Sequence, residues 1–290
     1  MRFGRFGRFT RPVGAAWLAA LLAGCAVIPD APRMLSLQDD RAVAASVAPC
    51  NVPIAAPPVL AAPQALPSAP LRVVSWNIHK SGDAGWQADL GRYAREHHLL
   101  LLQEAVLTDE LRGVLEDAGH RWHMAGAFAF NGVERGVMTA ASVGALSACT
   151  LRTFEPVTII PKSALVSRYR VAGSAQALAV ANVHGVNFSL GLGSFNEQLN
   201  DIASELAAHQ GPIILAGDFN GWSAARQQVM ADVARKLRLE PARYEPDQRR
   251  RVFGHPLDHL FVRGLVVRRA SSVDVKSSDH NPILVEFAVP

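Results

Sequence analysis

Several short apolar runs in this 290-residue chain end, or begin, at a polar side chain able to do chemistry. Val73-Val74-Ser75-Trp76 stops at Asn77, Leu99 to Gln103 at Glu104, and Ala179 to Val183 at His184. Ile213 to Gly217 runs into Asp218, with Asn220 two residues on. Asp258 precedes His259-Leu260-Phe261-Val262, and Asp279-His280 precedes Asn281-Pro282-Ile283-Leu284-Val285. Strand ends of this kind face a shared crevice in layered α/β folds. Asn77 and Glu104 offer oxygen ligands, which suit Mg²⁺, with Mn²⁺ able to substitute; Zn²⁺ fits less well without clustered Cys or His. Carboxylates and imidazoles at one mouth can position a water, move a proton and donate to a phosphate. Singly, each has a plainer reading: Asp218-Phe219-Asn220 as a turn capping a helix, Ser278-Asp279-His280 as a loop, an asparagine satisfying backbone.

In order, Trp76-Asn77, Gln103-Glu104, Asn182-Val183-His184, Gly217-Asp218-Phe219-Asn220, Leu257-Asp258-His259-Leu260-Phe261 and Ser278-Asp279-His280-Asn281-Pro282 resemble the endonuclease/exonuclease/phosphatase superfamily. The resemblance implies a DNase-I-like four-layer α/β sandwich, with two packed mixed β-sheets flanked by helices. It implies a metal-dependent phosphoester hydrolase. In that reading Asp218 orients or deprotonates the attacking water, and Asn220 holds that water or a phosphate oxygen. His184 and His280 donate to the phosphate, and Asp258 fixes the tautomer of His280 and raises its pKa. Asn77 and Glu104 hold the metal, and Asp279 is a second metal or orienting position. Either Asp218 or His280 is the base. His79, two residues past Asn77 and so facing the same way along a strand, is a candidate substrate contact, as are Asn182, Asn187 and Trp222. Lys80 joins them at the rim. A nuclease-like phosphodiesterase is the favoured reading. A phospholipid or sphingolipid phosphodiesterase or phosphatase at the membrane is the alternative, and a catalytically silent binding module on the same scaffold is the rival of another class.

The elements that must position these residues are legible in outline. Gln87 to His98 reads as a helix, and Thr108 caps another through about Ala118. Phe195, Leu199, Ile202 and Leu206 line one face of a third helix, stopped by Gly211-Pro212. Ser223 opens a fourth, to about Leu237. Strands dominate the C-terminal part, so a purely parallel sheet does not fit and a mixed layered α/β domain does. That domain is expected over residues 71–290, as a monomer.

The N-terminus carries a different message. Arg2, Arg5, Arg8 and Arg11 precede an apolar run from Val13 to Leu22, a secretory signal pattern. Leu22-Ala23-Gly24-Cys25 resembles the lipobox of bacterial lipoproteins. The resemblance implies a signal peptide over residues 1–24 and a lipid on Cys25. It implies an exported, membrane-anchored protein, sorted to the outer membrane and periplasm where the host has two membranes, since Ala26 follows. Residues 25–70, rich in Ala and Pro, read as a tether. The whole chain has 29 Lys+Arg against 25 Asp+Glu, and the four arginines of the signal account for the excess. A global basic field for nucleic acid is therefore not supported. An oxidising compartment permits a disulfide between Cys50 and Cys149, with two buried thiols as the other reading.

Overall fold

The computed structural model describes residues 26–37, 43–50 and 65–290; Cys25 and the signal pattern lie outside them. The strands are β1 Ala26–Val27, β2 Arg33–Leu37, β3 Val43–Val47, β4 Leu71–Asn77, β5 Leu99–Val106, β6 Arg121–Phe130, β7 Val133–Ala141, β8 Ser147–Phe154 and β9 Pro161–Tyr169. They continue as β10 Leu178–His184, β11 Ile213–Asp218, β12 Glu240–Pro241, β13 Arg251–Val252, β14 His255–Pro256, β15 Asp258–Arg263, β16 Val266–Ser272 and β17 Ile283–Ala288. The helices are α1 Trp86–Glu96, α2 Asp109–Asp117, α3 Gly193–Ala207 and α4 Ala224–Leu237. Thr108 and Ser223 cap α2 and α4 by accepting from the amides of Leu111 and Arg226.

The large sheet runs β16-β17-β4-β5-β7-β6-β2-β3, with β1 also on β6, and the smaller runs β12-β15-β11-β10-β9-β8. Both are mixed: β4/β5 and β10/β11 are parallel pairs among antiparallel neighbours. Alternation along the strands sorts the side chains into layers. Val73, Leu99 and Leu101 of the large sheet meet Val180, Ile214, Ala216 and Leu260 of the small one. Val74, Trp76, Leu100 and Leu102 turn outward onto Leu90, Tyr93, Leu111 and Leu115 of α1 and α2. Ala181, Val183 and Leu215 turn outward onto Phe195, Leu199 and Ile202 of α3 and Met230 of α4. The order helix, sheet, sheet, helix is the four-layer sandwich expected.

The tether reading fails for part of residues 25–70. Arg33–Leu37 pairs antiparallel with β6, Leu35 is buried in the helix-facing core, and Arg33 meets Glu134 at 2.6 Å. Leu66 is fully buried between the sheets, its amide donating to Arg170 O. Short alternating runs among alanines and prolines hid these contacts. Cys50 and Cys149 form a disulfide that ties this segment to β8.

Candidate active site

The open end of the layer between the sheets forms the site. In β10 and β11 His184 lies beside Asp218, and in β11 and β15 Asp218 lies beside Asp258, so three neighbouring strands present their polar ends together. Two glycines permit this crowding. A Cβ on Gly217, at φ +142°, would sit 2.0 Å from Val183 O, and one on Gly185 would sit 2.5 Å from Phe219 O. On the large sheet Asn77 ends β4. Glu104 sits at a bulge in β5 with φ +52°, which turns its side chain out of the ladder.

Asp218 is held on both oxygens. Asn77 Nδ2 donates to its Oδ2 at 3.0 Å, and the Asn220 amide donates to its Oδ1 at 2.9 Å. Asn220 Nδ2 donates to Gly185 O at 3.0 Å, and Asn77 Oδ1 accepts from the His79 amide at 3.0 Å. His280 Nδ1 lies 2.8 Å from Asp258 Oδ2, and its Nε2 lies 3.9 Å from Asp218 Oδ2. Its backbone is pinned: His280 O accepts from Trp76 Nε1, and Ser278 Oγ accepts from the His280 amide while donating to Asn77 O.

These neighbours set the charges. Burial raises the Asp218 pKa to about 6 against the pull of His280, with Asp258 adding to the rise. Burial works against a charged His280, but the carboxylates of Asp258 and Asp218 overcome it and lift its pKa to about 10. Burial drives His184 well below 6.5, aided by Lys162, whose Nζ is 3.2 Å from His184 Nε2. Burial also opposes ionisation of Glu104, yet His184, Lys80 and Lys162 bring its pKa to about 2. Near neutrality the floor holds an Asp218 carboxylate, a His280 imidazolium, a neutral His184 and a Glu104 carboxylate.

Asp218, Asp258 and His280 bring their ligand atoms within 4.8 Å of one another. A protonated imidazole bridging two carboxylates is an ion-pair network and a poor metal trap. Glu104 fits a divalent cation better. Its carboxylate faces the cleft, and the Lys80 ammonium, 2.7 Å from Oε2, shows that the spot attracts positive charge. Lys80 is half exposed and free to swing aside, and Asn77 Oδ1 keeps a lone pair beyond its bond to His79.

The strand-end residues Glu104, His184, Asp218, Asn220 and His280 line one cleft of about 490 Å³, with Asn77 and Asp258 directly behind them. A cavity of about 530 Å³ beside Gly211 and Pro212, where β11 begins, contains none of them. Asp279 lines the cleft but is half exposed, 3.8 Å from His79 Nδ1, and stands outside the buried set. His79 is in a 3₁₀ turn, His79–Ser81, not on a strand; its Nδ1 lies 2.6 Å from Asp83 Oδ2 at the rim. Trp222 does not line the cleft: it packs against Phe253 and Arg226, and its Nε1 donates to Asn187 Oδ1. Asn187 lines the cleft, with that oxygen already engaged.

Asn182 is no substrate contact. It is fully buried one pleat below His184, donating to Leu102 O and Met138 O of the other sheet and accepting from Gln103 Nε2. Asn182→Ala is expected to lower stability by about 3 kcal/mol in urea unfolding, because buried carbonyls lose their donor, while kcat of the folded protein is unchanged. Two residues of the site had no sequence signal. Lys162, a lone lysine after Pro161, faces His184; buried Glu155 accepts from the amides of Asn187 and Phe188 and clamps two cleft loops together.

The sequence matches the Endonuclease/Exonuclease/phosphatase family over residues 74–280. It is 44% identical over 218 residues to a UPF0294 protein of Klebsiella pneumoniae (strain 342), covering 75% of this chain and 82% of that one. Among solved structures it is similar to a functionally unknown conserved protein from Enterococcus faecalis V583, at a TM-score of 0.60 and 18% identity, covering 76% of this chain and 100% of that one. It is also similar to a mannosyl-6-phosphatase of Bacteroides thetaiotaomicron VPI-5482, at a TM-score of 0.56 and 17% identity, covering 75% of this chain and 99% of that one. The chain belongs to the endonuclease/exonuclease/phosphatase family, a family of phosphoester hydrolases that typically depend on a divalent metal.

Proposed function

We propose that this protein is a Mg²⁺-dependent phosphodiesterase in which Asp218 activates the attacking water. The carrying observation is the geometry of Asp218, held by Asn77 and Asn220, with His280 Nε2 3.9 Å away and Asp258 on the other ring nitrogen of His280, an arrangement that favours the imidazolium. A protonated His280 has no lone pair to act as base, so Asp218 takes the proton from water, and His280 donates to phosphate oxygens as charge builds on them. His184 is neutral, and its Nε2 faces Lys162; the Lys162 ammonium therefore supplies the second cationic donor. Mg²⁺ bound by Glu104 and Asn77 would neutralise phosphate charge and help the leaving group. Mn²⁺ has the same donor preference and should substitute.

The test is turnover of bis(p-nitrophenyl) phosphate by the full chain. EDTA is expected to abolish it, and added Mg²⁺ or Mn²⁺ to restore it. In Glu104→Gln the half-saturating Mg²⁺ concentration is expected to rise by about tenfold or more, the result of losing a charged ligand. Equal Mg²⁺ dependence in the two proteins would move the metal away from Glu104. A silent binding module would show no turnover under any of these conditions.

Export and a lipid on Cys25 rest on the N-terminal pattern alone, and we propose both: a hydrolase held at a membrane surface. Intact-mass measurement of the mature protein tests this, since a processed N-terminus at any other residue refutes it. The sequence favours a nuclease-like activity, whereas exposed apolar residues on the loops beside the cleft, Phe188 among them, favour a lipid.

A further inference from the structure

Among the described residues ten large hydrophobic side chains are exposed, and five of them, Val157, Ile159, Phe188, Leu190 and Phe253, lie on three loops at the cleft mouth. Leu190 is 92% exposed, Phe253 83% and Ile159 68%. The loops form one rim. The Val157 amide donates to Phe188 O, and Trp222 bridges the second loop to the third, bonding to Asn187 and packing its ring 6.3 Å from that of Phe253. Thr158, Ile160 and Phe188, on the same loops, and Val252, at the end of β13 beside Phe253, line the cleft itself. Solvated loops rarely expose apolar groups in such a cluster. Ile159 is also held at φ +61°, a conformation that β-branched residues avoid, while Glu155 closes the turn beneath it by accepting from Thr158, Asn187 and Phe188. The fold thus holds an aliphatic side chain outward beside a phosphoester cleft.

We propose that this rim inserts into a lipid surface and that the substrate is an amphiphilic phosphoester drawn from it. The proposal rests on the reading of the cleft as a phosphoester-hydrolysing site. Lys162, Arg135 and Arg250 in the cleft suit the anionic headgroup, and hydrocarbon attached to that headgroup must leave through the apolar rim. A single-stranded nucleic acid would need flat aromatic faces and a basic track. Three of the five rim residues are aliphatic, and Arg249 and Arg251 near the third loop are drawn onto Asp247 at 2.8 and 3.0 Å.

The experiment uses the full chain carrying Cys25→Ser and Asp218→Asn, so that no lipid is attached and no substrate is consumed. Leu190→Cys, Phe253→Cys and Gln210→Cys are each labelled with an environment-sensitive nitrobenzoxadiazole; Gln210 lies just before β11, at the opposite end from the cleft. Vesicles of phosphatidylcholine and phosphatidylglycerol are expected to give a blue-shifted, several-fold rise in emission at Leu190→Cys and Phe253→Cys and none at Gln210→Cys. Leu190→Ser and Phe253→Ser are each expected to weaken vesicle binding about tenfold, as for one apolar side chain leaving hydrocarbon. No response at either rim position, an equal response at Gln210→Cys, or a response to single-stranded oligonucleotide alone overturns the proposal. Such a failure leaves the hydrolase reading intact, because docking is read without turnover. Absence of aryl phosphate turnover by the wild-type chain would sink the hydrolase reading and leave the docking result standing.

Discussion

Asp218→Asn is expected to lower kcat/KM on bis(p-nitrophenyl) phosphate by about 10³-fold, within the range for removing a general base, with no loss of thermal stability. The substitution keeps shape and removes the proton acceptor. The side chain is 2% exposed and its charged form is disfavoured by burial, which raises its pKa to about 6. A carboxylate whose folded pKa lies above its ordinary value weakens the fold at neutral pH. Two hydrogen bonds to the carboxylate, from Asn77 and the Asn220 amide, work the other way, and the amide oxygen of asparagine keeps the second. The measurement pairs initial rates with a thermal melt. A variant that melts normally and still turns over at near wild-type rate would remove Asp218 from the chemistry. One that is inactive because it is unfolded would show itself in the melt.

What could be read from the sequence follows from how the strands alternate. Leu99 to Leu102 and Ile213 to Ala216 are buried on both faces, so they are continuous apolar runs, and the polar residue that ends each run stands out. That made Glu104 and Asp218 visible. The same logic misplaced Asn182. It shares a face of β10 with His184, but two residues earlier the layer is closed, so Asn182 spends its amide joining the sheets. Lys162 and Glu155 were invisible because their roles depend on which strand or loop lies opposite them, and no local period encodes that. Arg33–Leu37 is hidden by composition: a five-residue strand between β6 and the edge strand β3 contributes one deeply buried side chain, Leu35, and leaves little pattern in an Ala- and Pro-rich stretch. The rim hydrophobics gave no signal because isolated apolar residues in loops are common, and only the fold gathers them.

The pH dependence should distinguish Asp218 from His280 as the base. Asp218 must be ionised to accept a proton, and its pKa is raised to about 6, so kcat/KM is expected to rise with pH through about 6. His280 must stay protonated to donate, and its pKa is raised to about 10, so activity is expected to fall only as pH passes about 10. A His280 base would need the opposite: activity would appear only near the upper value. Asp258→Asn separates the limbs. Its carboxylate bonds His280 Nδ1 at 2.8 Å and is the largest force holding the proton against burial. Without it the alkaline limb is expected to move down by about one pH unit or more, while the acid limb shifts slightly lower because a neighbouring negative charge has been removed from Asp218. Stability follows the same sign. His280, with a folded pKa above its ordinary 6.5, contributes stability that is full below about 6.5 and is lost as pH rises through about 10. Urea unfolding of wild type and Asp258→Asn should therefore differ most at mildly acidic pH and converge above about 10. An alkaline limb that stays in place in Asp258→Asn would show that His280 is not the titrating donor, and activity that appears only near the upper value would instead make His280 the base.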